Sequence, residues 1–459
     1  MESPTTLNLH DFLSEHKVTG YQWSLYVMLL VILLFDGVAV AAAGFSNTHI
    51  MPSFGLNPKT DASQMMWALS AVQFGSAAGA LIAGPIADKF GRKNVVIVST
   101  LIVAVFMFIT AFSTGPNSLM IWRFLTGLGL GGSVANCVPL FSEFCPPQRR
   151  SFLTTIMYLG FPFGSGIAGL VAGLWLLKVM SWQHFFMLMG ALPLVLTIIF
   201  FFFIPESVRY MVYSGKPVER IRATLSRIAP VSDSVTSVDS GEKAVTEDEK
   251  KAGAALVVSR SYIVGSVMLW LTYFAGLMVV YAIQNWLPTM LQNHGYSAPA
   301  SIVITGIFQL GAIGSIIIGF IMDRANPNIA LAICYGLTAV AVMLMGPTVS
   351  HMAIFVVMVV LGGLFVNTGQ SAMPSLAAMF YPAQGRATGV SWMIGIGKFG
   401  GFIGTLIMGW LIPPFTKDGN TNFTPIFLII GAIVLISMVA LIIKNAAYRK
   451  AVTETAAAK

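Results

Sequence analysis

Twelve long apolar stretches constrain this chain more than any other feature. Each is close to the roughly 20 apolar residues that a helix needs to cross the hydrocarbon core of a bilayer, because an α-helix rises about 1.5 Å per residue. Their approximate positions are 23–45, 66–87, 95–114, 118–142, 152–174, 183–203, 261–285, 301–321, 328–348, 352–379, 388–412 and 425–444. These continuous runs do not alternate as barrel strands do. The sequence therefore predicts an all-α integral membrane protein.

The composition agrees with a protein whose solvent is mainly lipid. Of 459 residues, 56% are hydrophobic and 10% are charged, whereas about a quarter of the residues in soluble domains are charged. So few charges cannot cover the surface of a soluble protein of this size. Residues 1–22 are polar, and no cleavage pattern follows the first apolar run, which argues against a cleaved signal peptide.

Lysine and arginine residues predict the orientation of the chain. Most of the 26 fall in loops on the same side as the N-terminus, including the long loop after the sixth stretch. Because cytoplasmic loops carry an excess of these residues, we expect a multi-pass protein of a bacterial-type inner membrane with both termini in the cytoplasm. The net charge of +8 then reflects topology, and nucleic acid is not an expected partner.

Motifs for catalysis, metal binding or ATP-driven transport are absent from the sequence. There is no P-loop and no H-E-x-x-H, and Cys137, Cys145 and Cys334 match no metal site. Residues 395–400 spell G-x-G-x-x-G, but they lie in an apolar stretch, so close contact between helices is the better interpretation. We therefore expect neither enzymatic activity nor a cofactor or metal.

The chain divides into two halves around a polar loop. Residues 204–259 form the only long polar interval inside the sequence. The predicted organisation is an N-terminal six-helix half (1–203), a cytoplasmic central loop (204–259) and a C-terminal six-helix half (260–459). A surface helix is predicted inside the loop, at about residues 218–227.

An internal repeat relates the two halves. The sequence GPIAD begins at Gly84 after the second stretch, and GFIMD begins at Gly319 after the eighth. The same offset separates Pro139 in the fourth stretch from Pro374 in the tenth. Two matches at one offset indicate duplication, and parallel six-helix repeats place a solute site near the midplane between the halves.

The loop after the second stretch resembles a motif of the major facilitator superfamily. GPIADKFGRK, from Gly84 to Lys93, is similar to the superfamily's G-x-x-x-D-x-x-G-R-K/R, although the copy at Gly319 lacks the trailing Gly-Arg-Lys. The resemblance covers essentially residues 20–445. It implies twelve transmembrane helices in two parallel six-helix repeats, and transport by alternating access.

Within the superfamily the chain looks most like the aromatic acid:proton symporters. The similarity lies in DGVAVAAAGF from Asp36, RFLTGLGLGG from Arg123 and GIGKFGG from Gly395. It implies proton-coupled uptake of a small organic acid, most typically a benzoate- or hydroxybenzoate-like carboxylate. Ala39 stands where the family usually has a second acid. That departure leaves open uptake of an aliphatic or dienoic carboxylate, or proton-driven efflux of an amphiphilic compound.

Three ionisable side chains lie clearly within the apolar stretches, where charge is costly and usually functional. Asp36 and Arg123 lie about nine and five residues from the outer ends of the first and fourth stretches, so their depths should differ by about 6 Å. We expect them to pair, either as a proton site or as a contact that only fixes helix packing. Lys398, near the midplane, is expected to hold an anionic solute, with snorkelling to an interface as the alternative.

Further solute contacts are predicted from polar and aromatic side chains on the apolar stretches. They are Asn136, Gln370, Tyr273 and Trp392, with Arg123 as a second cation for the solute. Amide side chains in membranes more often bond between helices, and aromatic rings more often pack in the core. We expect a monomer whose partners are a small organic acid and the lipid bilayer.

Charged residues at the predicted cytoplasmic helix ends are candidates for a gate. They are Asp88, Arg92, Glu143, Asp323 and Arg386. The resemblance implies that charge pairs and helix-end contacts among them hold one face shut, whereas simple anchoring of positive residues is the alternative. Asp88 is expected to gain from the dipole of a nearby helix N-terminus.

Overall fold

The computed structural model describes residues 5–239, 253–417 and 420–457. Within these ranges twelve helices are long and apolar enough to cross a membrane, which confirms the predicted all-α membrane fold. They are α1 Gly20–Ser53, α2 Ala62–Phe90, α3 Arg92–Thr110, α4 Pro116–Phe144, α5 Pro147–Val179, α6 Trp182–Phe203, α7 Ile263–Asn293, α8 Ala298–Arg324, α9 Pro327–Thr348, α10 Met352–Phe380, α11 Ala383–Leu411 and α12 Phe423–Ala457.

Two of these helices change their winding. Residues Ala172–Leu176 of α5 form a π-helical segment, and Gly311–Gly314 of α8 form a 3₁₀ segment. The 3₁₀ segment begins where α8 crosses α10 closely, since a methyl group at Gly311 would clash with the backbone of Gly363. Local rewinding therefore accompanies this close approach of two backbones.

Small elements cover the end of the bundle at which α1 begins, which we call the amino end. Strand β1 (Thr5–Asn8) pairs in parallel with β2 (Val235–Asp239). Short helices span Leu9–Glu15, Val208–Tyr213 and Val218–Leu225, the last where a surface helix is predicted. Their apolar side chains join a core cluster of the N-terminal half. The loop between α11 and α12 carries a 3₁₀ turn and two further short strands, Pro413–Phe415, Thr416–Lys417 and Asn420–Thr421.

Glycines bring neighbouring helices into backbone contact, as the pattern at 395–400 predicts. On α11, Gly397 lies under the ring of Tyr273, and Gly400 faces the carbonyl oxygen of Phe274 on α7. In the other half, Gly127 of α4 faces the carbonyl oxygen of Val72 on α2. Small residues allow such close approach, which supplies packing contacts where lipid removes the hydrophobic driving force.

The two halves meet between mid-depth and the end opposite the amino end, which we call the far end. Asn47 of α1 donates to Thr289 of α7 at 2.9 Å. Gln284 of α7 donates to the Ser165 hydroxyl of α5 at 3.0 Å. All four side chains are buried. Neutral hydrogen bonds therefore join the halves on the far side of the membrane midplane.

The amino end differs from the far end in the contacts between the halves. A methyl group added at Gly84 of α2, Gly319 of α8 or Gly395 of α11 would meet no atom within 4 Å. Among the residues that the structure describes, no hydrogen bond or ion pair joins the halves at this end. In the described residues, the hydrogen bonds between the halves therefore lie at mid-depth and toward the far end.

The glycine contact between α7 and α11 gives a prediction about stability. Gly400→Val should lower the melting temperature of the purified protein by a few degrees, because overpacking a close contact costs about 1–3 kcal/mol. Gly395→Val is the matched control on the same helix, since its side chain would meet open space. Equal melting temperatures for the two variants would contradict this account of the α7–α11 contact.

Candidate functional site

The centre of the site is the carboxyl group of Asp36, in the middle of α1. Its side chain is fully buried, and Oδ2 accepts a hydrogen bond from the hydroxyl of Ser133 on α4. Oδ1 has no hydrogen-bond partner among the described residues. This carboxyl group is thus held by one neutral hydroxyl, and its second oxygen is unpaired in the described residues.

The predicted contact between Asp36 and Arg123 is wrong. The fully buried guanidinium of Arg123 donates instead to the backbone carbonyls of Ala39 at 2.6 Å and Val40 at 3.0 Å. No ion pair joins Arg123 to Asp36 within the described part of the chain. Arg123 therefore binds α4 to the backbone of α1, which is a packing contact and leaves the acid free of a cation on this side.

The reason is the true length of α1. This helix continues to Ser53, so Asp36 lies about 25 Å from its far end, whereas Arg123 lies about 10 Å from the far end of α4. The two residues therefore differ in depth by about 15 Å, which is more than their side chains can span. Ser133 lies ten residues after Arg123, about 15 Å deeper, which is the level of Asp36.

Lys398 extends from α11 across the gap between the halves. Its half-buried ammonium donates to the hydroxyl of Ser76 on α2 at 3.1 Å and to the carbonyl oxygen of the same residue at 3.2 Å. It lies within electrostatic range of Asp36, but the two form no ion pair. The structure thus brings together an acid and a cation of different halves without joining them. Ser76 carries no sequence signal, because it is one small residue among many on α2.

The other predicted solute contacts lie in different surroundings. Tyr273 is half-buried beside Gly397, the residue before Lys398. Trp392 is partly exposed on α11, with its ring 6.0 Å from that of Trp270. Asn136 donates to the carbonyl oxygen of Gly132 in its own helix at 2.9 Å. Tyr273 therefore adjoins Lys398, whereas the amide of Asn136 is already bonded.

Tyrosine side chains from three helices lie near one another close to Lys398. Tyr273 of α7 lies within electrostatic range of Tyr281 of the same helix and of Tyr158 of α5 in the opposite half. Tyr335 of α9 lies within the same range of Tyr273. Tyr158 is 49% exposed although it lies within this group, so it borders an open space. Neither Tyr158 nor Tyr335 stands out in the sequence, because single tyrosines are common on membrane helices.

Two of the predicted gate residues pair within the N-terminal half. Arg92 forms an ion pair with the buried Glu143 at 2.9 Å, and Glu143 also accepts a hydrogen bond from Ser207. The carboxylate of Glu206 accepts from the backbone N–H of Lys93 at 3.0 Å. Glu206 and Ser207 are not among the predicted residues. The signal that points to them is an acid directly after the sixth apolar stretch.

The other predicted gate residues are exposed. Asp88, Asp323 and Arg386 make no ion pair among the described residues. The expected helix-dipole role of Asp88 is wrong, because Asp88 lies in the last turn of α2. The N-terminus of α3 is instead capped by Glu206 beside Gly91, whose φ of +94° and contact with that carboxylate require glycine.

Twelve helices in two halves, with charged side chains buried among them, define an integral membrane protein with a polar interior. The sequence matches the family described as Major Facilitator Superfamily over residues 27–351 and 305–459, and the chain belongs to that family. The predicted superfamily fold is confirmed.

Relatives of known function indicate a particular group within this superfamily. The chain is 38% identical to the 4-hydroxybenzoate transporter PcaK of Acinetobacter baylyi over 92% of this chain and 91% of that one. It is 37% identical to a gallate transporter of Pseudomonas putida over 88% of each chain. The xylose transporter XylE from E. coli shares the fold with a TM-score of 0.68 at 14% identity, over 91% of this chain and 95% of that one. The resemblance to aromatic acid transporters is confirmed.

The Arg92–Glu143 pair gives a prediction about the amino end. Glu143→Gln should lower the melting temperature by several degrees, since charge-assisted hydrogen bonds contribute about 1.5–3 kcal/mol. Asp323→Asn is the matched control, because its exposed carboxylate makes no ion pair in the described residues. If both variants have the melting temperature of the wild type, the Arg92–Glu143 pair does not stabilise the amino end.

Proposed function

We propose that this protein imports a small aromatic carboxylate together with protons. The observation that carries the proposal is the buried acid of Asp36 within electrostatic range of Lys398, at mid-depth between the halves. The similarity to transporters of 4-hydroxybenzoate and gallate supports an aromatic carboxylate over an aliphatic one. Both named solutes are hydroxylated aromatic acids.

Lys398 is the proposed anchor for the carboxylate of the solute. A carboxylate that leaves water needs a fixed positive partner, because an unpaired charge in a low dielectric costs several kcal/mol. Arg123 is bonded to backbone carbonyls, whereas Lys398 has only the neutral Ser76 as a hydrogen-bond partner in the described residues. Replacing that neutral partner by an anion is favourable.

Asp36 is the proposed carrier of the proton. When its carboxyl group is ionised, it competes with the solute for the positive charge of Lys398. When the carboxyl group is protonated, Lys398 keeps its full attraction for a solute carboxylate. Proton and anion therefore favour each other's binding, and such reciprocal coupling is what symport requires.

Rocking of the two halves completes the proposed cycle. The positive-inside pattern supports the amino end as the cytoplasmic face, so a state in which the halves separate at that end would release solute into the cell. The charged loops of the amino end, with Asp88 and Arg92 in one half and Asp323 and Arg386 in the other, would approach when that end closes. The neutral contacts around Asn47 and Thr289 would then separate.

The proposal predicts that Asp36→Asn abolishes uphill accumulation of aromatic acid driven by an inward proton gradient. The amide can still accept from Ser133, so solute exchange at equal pH should continue. Uptake and counterflow in proteoliposomes measure the two activities. Asp61→Asn, in the loop between α1 and α2, is the control. Accumulation against the gradient by Asp36→Asn would exclude Asp36 as the proton site.

The anchor role predicts a charge-selective loss. Lys398→Ala should weaken binding of 4-hydroxybenzoate by at least about tenfold, as expected when a charge-assisted hydrogen bond is lost. Binding of the neutral 4-hydroxybenzamide should be unchanged. Lys398→Arg should retain partial affinity, because it keeps the charge with a different geometry. Equal losses for acid and amide, in titrations of purified protein, would show that Lys398 only supports the helix.

A further inference from the structure

We propose that Gln370 and Tyr335 recognise a hydroxyl group at the end of the aromatic ring opposite the carboxylate. This inference rests on the proposed function and specifies its substrate as a para-hydroxylated aromatic acid. It assigns a role to Tyr335, on a helix that carries no other part of the site.

The first observation is that both side chains have unused hydrogen-bonding groups. Gln370 is 7% exposed, and neither its amide oxygen nor its amide nitrogen meets a partner among the described residues. Tyr335 is fully buried, and its hydroxyl group also lacks a partner there. Buried polar groups are nearly always hydrogen-bonded, so an acceptor and a donor side by side indicate a ligand.

The second observation is that two glycines create the space for these groups. A methyl group at Gly276 of α7 would clash with the amide nitrogen of Gln370 and lie 3.2 Å from the ring of Tyr335. A methyl group at Gly369 of α10 would lie 3.1 Å from Cζ and 3.4 Å from the hydroxyl oxygen of the same tyrosine. Three helices therefore converge on Gln370 and Tyr335, and a side chain at either glycine would displace these polar groups.

The third observation is the position of this pair relative to Lys398. Helix α7 connects the two places, since the ring of Tyr273 packs beside Gly397 and the ring of Tyr335 packs against Gly276, one turn after Tyr273. Measured along their helices, Lys398 lies about 22 Å and Gln370 about 15 Å from the amino end. The difference of about 7 Å is comparable with the length of a benzene ring that carries substituents at opposite ends.

A phenolic hydroxyl satisfies both unused groups at once. Its O–H donates to the amide oxygen of Gln370, and its oxygen accepts from the hydroxyl of Tyr335. An acid without the hydroxyl leaves both groups buried and unpaired, and sites of this kind discriminate strongly against such analogues. A hydroxyl next to the carboxylate lies at the Lys398 end of the ring, where it cannot reach the pair.

The test is a comparison of affinities for 4-hydroxybenzoate, 2-hydroxybenzoate and benzoate on purified full-length protein. Wild type should bind the first at least about tenfold more tightly than the other two, as two neutral hydrogen bonds allow. Tyr335→Phe and Gln370→Leu should each reduce this preference about threefold to tenfold. The affinity for 4-hydroxybenzoate should fall, while the affinity for benzoate stays the same or improves.

Tyr381→Phe is the matched control, because the hydroxyl of Tyr381 already donates to Ser266 at 2.7 Å. It should leave the ratio of affinities unchanged. Equal losses for all three acids in both test variants, or an unchanged preference, would overturn the recognition of the hydroxyl while leaving aromatic acid transport intact. A wild type that binds none of the three acids would overturn the proposed function itself.

Discussion

A charge without a partner in the hydrocarbon core of a bilayer is so costly that each buried ion determines what surrounds it. Arg123 meets this constraint with carbonyl oxygens of α1, and it thereby fixes how α4 crosses that helix. Asp36 and Lys398 satisfy the same constraint only in part, because each is hydrogen-bonded to one neutral serine. The same requirement therefore stabilises one helix contact and leaves two opposite groups available at the boundary between the halves.

The two ends of the bundle differ in their polar contacts. Around Asn47 and Gln284 the halves meet through neutral amide and hydroxyl groups. At the amino end, ionic contacts such as Arg92–Glu143 stay within one half, and the exposed charges face water. Neutral hydrogen bonds contribute about 0.5–1.5 kcal/mol each, so they add modestly to the close packing between the halves, as where Gly169 of α5 lies against Gly306 of α8.

The apolar stretches alone were sufficient to predict twelve helices, and the repeat around Gly84 and Gly319 indicated the two halves. The contact of Asp36 with Arg123 was predicted wrongly, because hydropathy ends the first helix near residue 45 while the structure continues it to Ser53. Polar residues such as Asn47 extend a helix when they find partners in the opposite half. Contacts through single small residues, as at Ser76, depend on tertiary packing and leave no pattern in the sequence.

The parallel pairing of β1 with β2 joins Thr5–Asn8 to Val235–Asp239, and it constrains the order of events during synthesis. A nascent chain emerges from its N-terminus, so β1 leaves the ribosome six membrane helices before its partner exists. The first strand must wait, unpaired, until the whole N-terminal half and the start of the central loop have been made. Completion of this small sheet therefore marks the moment at which the first half of the transporter is finished.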